Sequence, residues 1–235
     1  MDSFFLDTAP VDGRTLVLRG DEHHHLARVM RMKAGERLLA ADGRGTMYRA
    51  VIDRVAAEET HCSIEEVLPA LNEPARHVTL VQAVLKNPGK MDWIVEKAVE
   101  LGVSRILPVR TARTLAASDK SVRWNSIALA AMKQCGRCLC PPVAAVDVLP
   151  LALEALEGTV LLLCHEAAPV AATLERALDA VSAEAPLALL IGPEGGFDAE
   201  EEALLRARGC MVVSLGTRRI RSETAAVAAL ARCVL

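Results

Sequence analysis

From residue 78 to the end of the chain, short unbroken apolar runs alternate with longer segments whose apolar positions recur every three or four residues. The runs Val78–Leu85, Ile106–Val109, Val160–Cys164, Leu187–Ile191 and Met211–Leu215 predict strands buried on both faces. Between and after them, the spacing predicts helices over Met91–Leu101, Val122–Cys135, Val170–Val181 and Ser222–Val234. In the first of these, Met91, Ile94, Val95, Ala98 and Leu101 share one face, and Gly102 stands where a helix cap needs a glycine. Asp198, with Glu201 three residues on, predicts a capping box opening one more helix. This alternation predicts an α/β domain, a parallel sheet covered by helices on both sides.

Residues 1–70 have a different rhythm. Thr15–Leu18, Glu36–Ala41, Met47–Ile52 and His61–Val67 read as strands, Asp42-Gly43 as a hairpin turn, and His23–Met32 as a short helix. Gly43-x-Gly45 lacks a third glycine and leads into a strand, so it is not a dinucleotide fingerprint. The reading is a small β-barrel over 1–70, a proline-flanked connector at Pro69–Pro74, and the α/β domain over 74–235.

Composition changes this picture in two ways. With 52% hydrophobic residues, the 235-residue chain can bury a large core. Yet no stretch approaches the ~20 apolar residues that span a bilayer, and Met1-Asp2-Ser3-Phe4-Phe5 lacks the basic start of a signal peptide. A cytoplasmic protein with no membrane partner and with its seven cysteines as free thiols is expected. Cys135, Cys138 and Cys140 invite a zinc reading, but no second Cys/His pair lies at ligand spacing, so no metal is expected. Neighbours in the His23-His24-His25 run would point about 100° apart on a helix and cannot easily share an ion.

The net charge of −3 hides strong segregation. Residues 76–137 carry 11 Lys and Arg against 4 Asp and Glu, whereas 138–215 carry 3 against 12. A basic third within a mixed chain points to a polyanion-binding face, with a solvated surface as the alternative. With aromatics at 3%, such a face would rely on charge and on the shape of its target more than on base stacking.

Candidate chemistry gathers near the end. Leu190-Ile191-Gly192-Pro193-Glu194-Gly195-Gly196-Phe197 and Leu215-Gly216-Thr217-Arg218-Arg219-Ile220-Arg221-Ser222-Glu223-Thr224-Ala225 each run strand, glycine loop, helix start. In an open parallel sheet such loops meet at the carboxyl ends of the strands, where ligands bind. The first can bring backbone groups close to a flat ligand; the second adds three arginines.

These two segments closely resemble the SPOUT methyltransferases, and within them the RsmE branch, which methylates N3 of a uridine in small-subunit ribosomal RNA. His24-His25-Leu26-x-x-Val29-x-Arg31 with Asp42-Gly43-x-Gly45 is similar to the PUA-like domain of that family. Lys86, Lys90 and Glu96-Lys97-Ala98-x-Glu100-Leu101-Gly102-Val103 resemble the opening of its catalytic domain, and Gln134-Cys135-Gly136-Arg137 with Pro142 resembles its middle. Thr217, Arg219 and Ser222 depart from the usual Pro, aliphatic residue and Thr, and Arg219 places a charge where an apolar side chain is usual. The resemblance implies a deep trefoil knot, S-adenosylmethionine (SAM) as cofactor, 16S rRNA, within the small subunit, as partner, and a homodimer.

The adenine would be held by backbone groups of Ile191, Leu215 and Ile220, walled by Leu163 and Ala225, with Gly192 and Gly196 permitting close approach. His165, Pro193, Gly216, Ser222 and Thr224 complete the expected cofactor set. Uracil N3 attacks only after losing its proton, which spreads negative charge onto O2 and O4; Arg221 is expected to stabilise that charge. The alternative is that Arg221 braces the loop through Glu223 or Glu194. Glu194 is the nearest candidate for the proton, with His165 and ordered water also open. His24, Arg28, Arg31, Lys33, Lys86, Lys90, Arg110 and Arg137 are expected on the RNA. A non-catalytic RNA-binding or assembly protein is the competing function. A Rossmann enzyme would carry its glycines after the first strand of the domain.

Overall fold

A computed structural model of the chain describes residues 3–114 and 118–235. The chain forms two compact units: residues up to Glu73 with Met132–Cys140, and Pro74–Ala131 with Pro141–Leu235.

The first unit is a mixed five-stranded half-barrel of β1 (Ser3–Phe5), β2 (Thr15–Arg19), β3 (Arg37–Ala41), β4 (Thr46–Val55) and β5 (Glu59–Pro69), in the order β1-β3-β4-β5-β2. Leu16, Leu18, Leu38, Ala40, Ala50 and Ile52 alternate along the strands and fill its core. The hairpin expected at Asp42-Gly43 joins β3 to β4. The Asp42 carboxylate accepts the N–H groups of Arg44 at 2.8 Å and Thr46 at 2.9 Å, and Gly43 takes φ 68°. β1, which pairs parallel with β3, was not expected; three residues are too few to show a period.

The helix expected over His23–Met32 is shorter and tighter at one end, wider at the other. It comprises α1 (Gly20–His24) and a π-helical turn over His25–Met30, closed by Arg31 in the left-handed region at φ 57°. His23 turns inward. Its Nε2–H donates to the Ala57 carbonyl at 3.2 Å, which leaves Nδ1 to accept from the Thr60 hydroxyl at 2.8 Å.

Arg137 requires a correction. Expected on the RNA, it is instead buried, its side chain 3% exposed and paired with Glu73 at 2.6 Å. The other Glu73 oxygen accepts the backbone N–H groups of Cys138 at 3.0 Å and Leu139 at 2.9 Å. A guanidinium locked in this way cannot reach a phosphate. Cys138 donates its buried thiol to the Leu71 carbonyl. Burial and the Glu73 carboxylate push that thiol up to about 11, so it stays protonated.

The second unit holds β6 (Val78–Ala83), α2 (Pro88–Glu100), β7 (Arg105–Arg110), most of α3 (Ser121–Cys135), β8 (Asp147–Val148), α4 (Leu149–Glu154), β9 (Val160–Cys164), α5 (Leu174–Asp179), β10 (Leu187–Ile191), α6 (Ala199–Ala207), β11 (Met211–Val213) and α7 (Ser222–Val234). Its sheet runs β11-β9-β10-β6-β7-β8 with every pair parallel. Val81, Ala83, Leu161, Leu163, Ala188 and Leu190 share one sheet face and pack with Leu153 of α4 and Leu205 of α6. Burial of each such side chain stabilises by about 1.5–3 kcal/mol.

Local caps explain where helices begin. α2 starts before Met91 because the Asn87 side chain accepts the Gly89 N–H at 2.9 Å and Pro88 sits at the first turn. α5 starts at Leu174, not Val170, because Thr173 accepts from the Arg176 N–H. Asp198 and Glu201 form the expected capping box of α6. No helix of the described residues is long and apolar enough to cross a membrane.

Candidate active site

The strand order sets β10 between β9 and β6, so the loops after β6, β7, β9, β10 and β11 crowd one end of the sheet. There they line a cleft of about 700 Å³, within the range of small-molecule sites.

The loop after β10 forms one wall. Gly192 faces the Gly196 Cα and the Phe197 ring so closely that a Cβ would meet both at 3.3 Å. The loop therefore closes on itself without side chains between its limbs. Gly196 adopts φ 71°, a conformation that side chains disfavour. Arg113, from the loop after β7, lies along Gly195 and donates from Nη1 to its carbonyl at 2.7 Å.

A second set of bonds joins the two glycine loops. The Ser222 hydroxyl donates to the Gly192 carbonyl at 2.6 Å and accepts from Gln82 Nε2 at 3.1 Å. Gln82, on the central strand β6, is fully buried and also donates to the Ala83 carbonyl. The hydroxyl that Ser222 shares with the usual Thr thus ties β6, β10 and the start of α7 together.

Charge is distributed unevenly among these braces. Lys90, expected on RNA, lines the cleft and pairs with Glu223 at 2.9 Å. Burial works to raise the Glu223 carboxyl, but the Lys90 hydrogen bond, the helix-start N–H and the charges of Lys90 and Arg221 hold it below the usual carboxylate range. Lys90 therefore takes the partner that Arg221 would need as a loop brace. Arg221 sits at the N-cap position of α7, exposed, with no ion pair within 4 Å among the described residues. Glu194 is likewise exposed and lines the cleft.

His165 is committed on both nitrogens. Nδ1 accepts the Ala167 N–H at 3.1 Å, so Nε2 carries the proton it shares with Glu202 at 3.1 Å. That tautomer has no free lone pair for a substrate proton. Cys164 also lines the cleft, but desolvation raises its thiol well above the ordinary range, which leaves no thiolate nucleophile.

Of the expected cofactor residues, Ile191, Gly192, Pro193, Gly196, Leu215, Gly216, Ile220, Ser222 and Ala225 line the cleft with His165. Leu163 and Thr224 do not. Leu163 points into the sheet-face core, because its neighbour Cys164 takes the opposite, cleft side of β9. Thr224 is exposed on α7. Arg219 resolves its departure from the family pattern by staying in solvent, 79% exposed and paired with Glu166 at 2.9 Å. Arg113, Glu166 and Glu202 were missed; only the strand ends before the first two hinted that those loops face a site. Lys86 and Arg110 are exposed in this unit, and His24, Arg28, Arg31 and Lys33 are exposed in the first.

The RNA methyltransferase domain family matches residues 72–234, and the RNA methyltransferase PUA domain matches 18–63. A ribosomal RNA small subunit methyltransferase E from Mycobacterium bovis is 33% identical over 97% of this chain and 88% of its own length. The protein of the same name from Aquifex aeolicus is 32% identical over 92% of each. The chain belongs to the small subunit methyltransferase E family. Within it, a solved structure from Neisseria gonorrhoeae bound to S-adenosyl methionine superposes with TM-score 0.83 at 29% identity, covering 99% of this chain and 96% of that one. The family's cofactor fits the cleft seen here: a glycine loop without intervening side chains, apolar walls from Ile191, Phe197 and Leu215, and an arginine-rich rim.

Proposed function

We propose that this SAM-dependent rRNA methyltransferase methylates N3 of one uridine in 16S rRNA, within the small subunit, from the cleft between the two glycine loops. One observation carries the reading. Ser222, Arg113 and the Lys90–Glu223 pair hold the loops, which leaves Arg221 and Glu194 facing the same space without partners of their own among the described residues. Bound SAM supplies a methyl group already activated on its sulfonium, so the protein mainly positions. Backbone groups of Ile191, Leu215 and Ile220 hold the adenine. Glu194 accepts the N3 proton, now that both nitrogens of His165 are engaged. Arg221 stabilises the charge left on O2 and O4.

The trefoil threading is supported by the parallel order of the sheet and by the packing of α7 on α2, β6 and β10. A homodimer is supported by α7 itself. Its Ala226, Ala229, Leu230 and Cys233 are buried, while Val227, Ala228 and Ala231 form a second, half-exposed apolar face. Sedimentation at micromolar concentration tests the dimer; a monomer overturns it.

The central test uses labelled SAM with small subunits from a strain lacking the enzyme. Methylation at N3 blocks the pairing edge of uracil, so reverse transcription should stop at one uridine. Label without such a stop would place the methyl group elsewhere. Gly196→Val forces a β-branched residue into the left-handed region. It should abolish SAM binding in calorimetry while the circular dichroism holds, and parent-like binding would move the site. Arg28→Ala and Arg31→Ala should each lower the salt dependence of RNA binding by about 0.7–0.9 in log–log slope. An unchanged slope would leave those residues as solvated surface.

A further inference from the structure

A second cavity, of about 230 Å³, lies against the start of α2. Its polar lining is Lys86, Lys120, Ser118 and Trp124; Leu85 and Met91 supply apolar wall. Trp124 is 1% exposed, and its indole Nε1–H is buried without a hydrogen-bond partner among the described residues. Its helix neighbours are satisfied: Arg123 donates to Asp92 at 2.8 Å, and Asn125 donates to the Ser121 and Val143 carbonyls. A buried donor left alone costs about 1–3 kcal/mol, and native structures leave few of them.

The donor set defines the ligand. An indole N–H and two ammonium groups can only donate, so the occupant must be rich in acceptors and negatively charged. The cavity is smaller than typical small-molecule sites, and one phosphate with part of a base fits that size. Position narrows the choice further. Lys86 and Lys90 flank the capped first turn of α2; Lys90 faces the main cleft and Lys86 faces this cavity. An RNA strand with one nucleotide in the cleft carries its neighbour past that turn.

We propose that this cavity is a nucleotide subsite, which takes one unpaired nucleotide next to the methyl acceptor. Lys86 and Lys120 neutralise its phosphate, and the Trp124 indole and Ser118 hydroxyl donate to its base or sugar oxygens. Single-stranded RNA offers such splayed nucleotides, and duplex does not. The subsite rests on the rRNA methyltransferase reading for its ligand, but its occupancy is measured separately.

Trp93→Phe leaves Trp124 as the sole indole of the chain, so its ¹H–¹⁵N resonance reports on this cavity alone. A uridine-centred RNA trinucleotide should move that resonance downfield in a saturable way, and the Lys86→Ala/Lys120→Ala variant should lose the response. A silent indole overturns the subsite, and an equal response to inorganic phosphate overturns its assignment to a nucleotide. In methylation assays the double variant should need about ten-fold more RNA for half-saturation, with SAM affinity unchanged by calorimetry. An unchanged RNA requirement overturns the proposal. Should no rRNA be methylated while the indole still responds, the function of the cleft fails and the subsite stands. Methylation with a silent indole is the reverse case.

Discussion

Arg221→Ala is expected to slow methyl transfer at saturating SAM and RNA by about 10²–10³-fold, with SAM affinity close to that of the parent. The expectation follows from where charge develops. Uracil N3 is an imide nitrogen, and its deprotonation places negative charge on both flanking oxygens. A guanidinium at the start of α7 offers a planar pair of donors, and the cleft gives it no ion-pair partner to compete with that role. The interaction strengthens only as charge forms, so its loss falls on the transition state and not on ground-state binding. Lys lacks the planar fork, so Arg221→Lys should restore little. Single-turnover rates with methyl-labelled SAM, beside calorimetry and a thermal melt, separate the outcomes. A fall in SAM affinity or melting temperature at an intact rate would make Arg221 a loop brace.

The second large effect lies far from the chemistry, in the first unit. Glu73→Ala should destabilise that unit by about 3–5 kcal/mol. The substitution removes the carboxylate that faces the buried Arg137 guanidinium and strips the acceptor from the Cys138 and Leu139 N–H groups. Nothing apolar replaces it, so a desolvated charge loses its main compensation. Urea titration followed by circular dichroism measures the shift. A loss below 1 kcal/mol would mean that the pair is solvated, and Arg137 would return to the RNA-facing set. If the structure is right, Arg137→Ala should lower stability and leave the salt dependence of RNA binding alone.

Local pattern made the main elements legible, along with both glycine loops and the α6 capping box. Such features depend on residues within one turn or one pleat of each other, so their physics is contained in the string itself. Short elements escaped: β1 with three residues and α4 with six have too few positions to show a period. The π-helical turn escaped because it differs from an α-helix in hydrogen bonding, not in residue type.

The family motifs brought the cleft into view but mixed two kinds of residue. Arg137 and Lys90 belong to motifs as plainly as Arg221 does. One proves to be a buried brace, one a cleft cation held by Glu223, and only Arg221 faces the cleft unpaired among the described residues. A motif records that a residue is needed without recording which atoms it meets. The sequence by itself determined an α/β domain with a ligand cradle in its last two loops, because strand, turn and cap chemistry is local. Only the tertiary structure decided which loops share that cradle. The strands that order them are apolar runs of nearly interchangeable composition, and their sequence along the chain does not dictate their sequence across the sheet. Setting β10 between β9 and β6 brought Arg113, His165 and Lys90 to the glycine loops, and left Arg221 facing them.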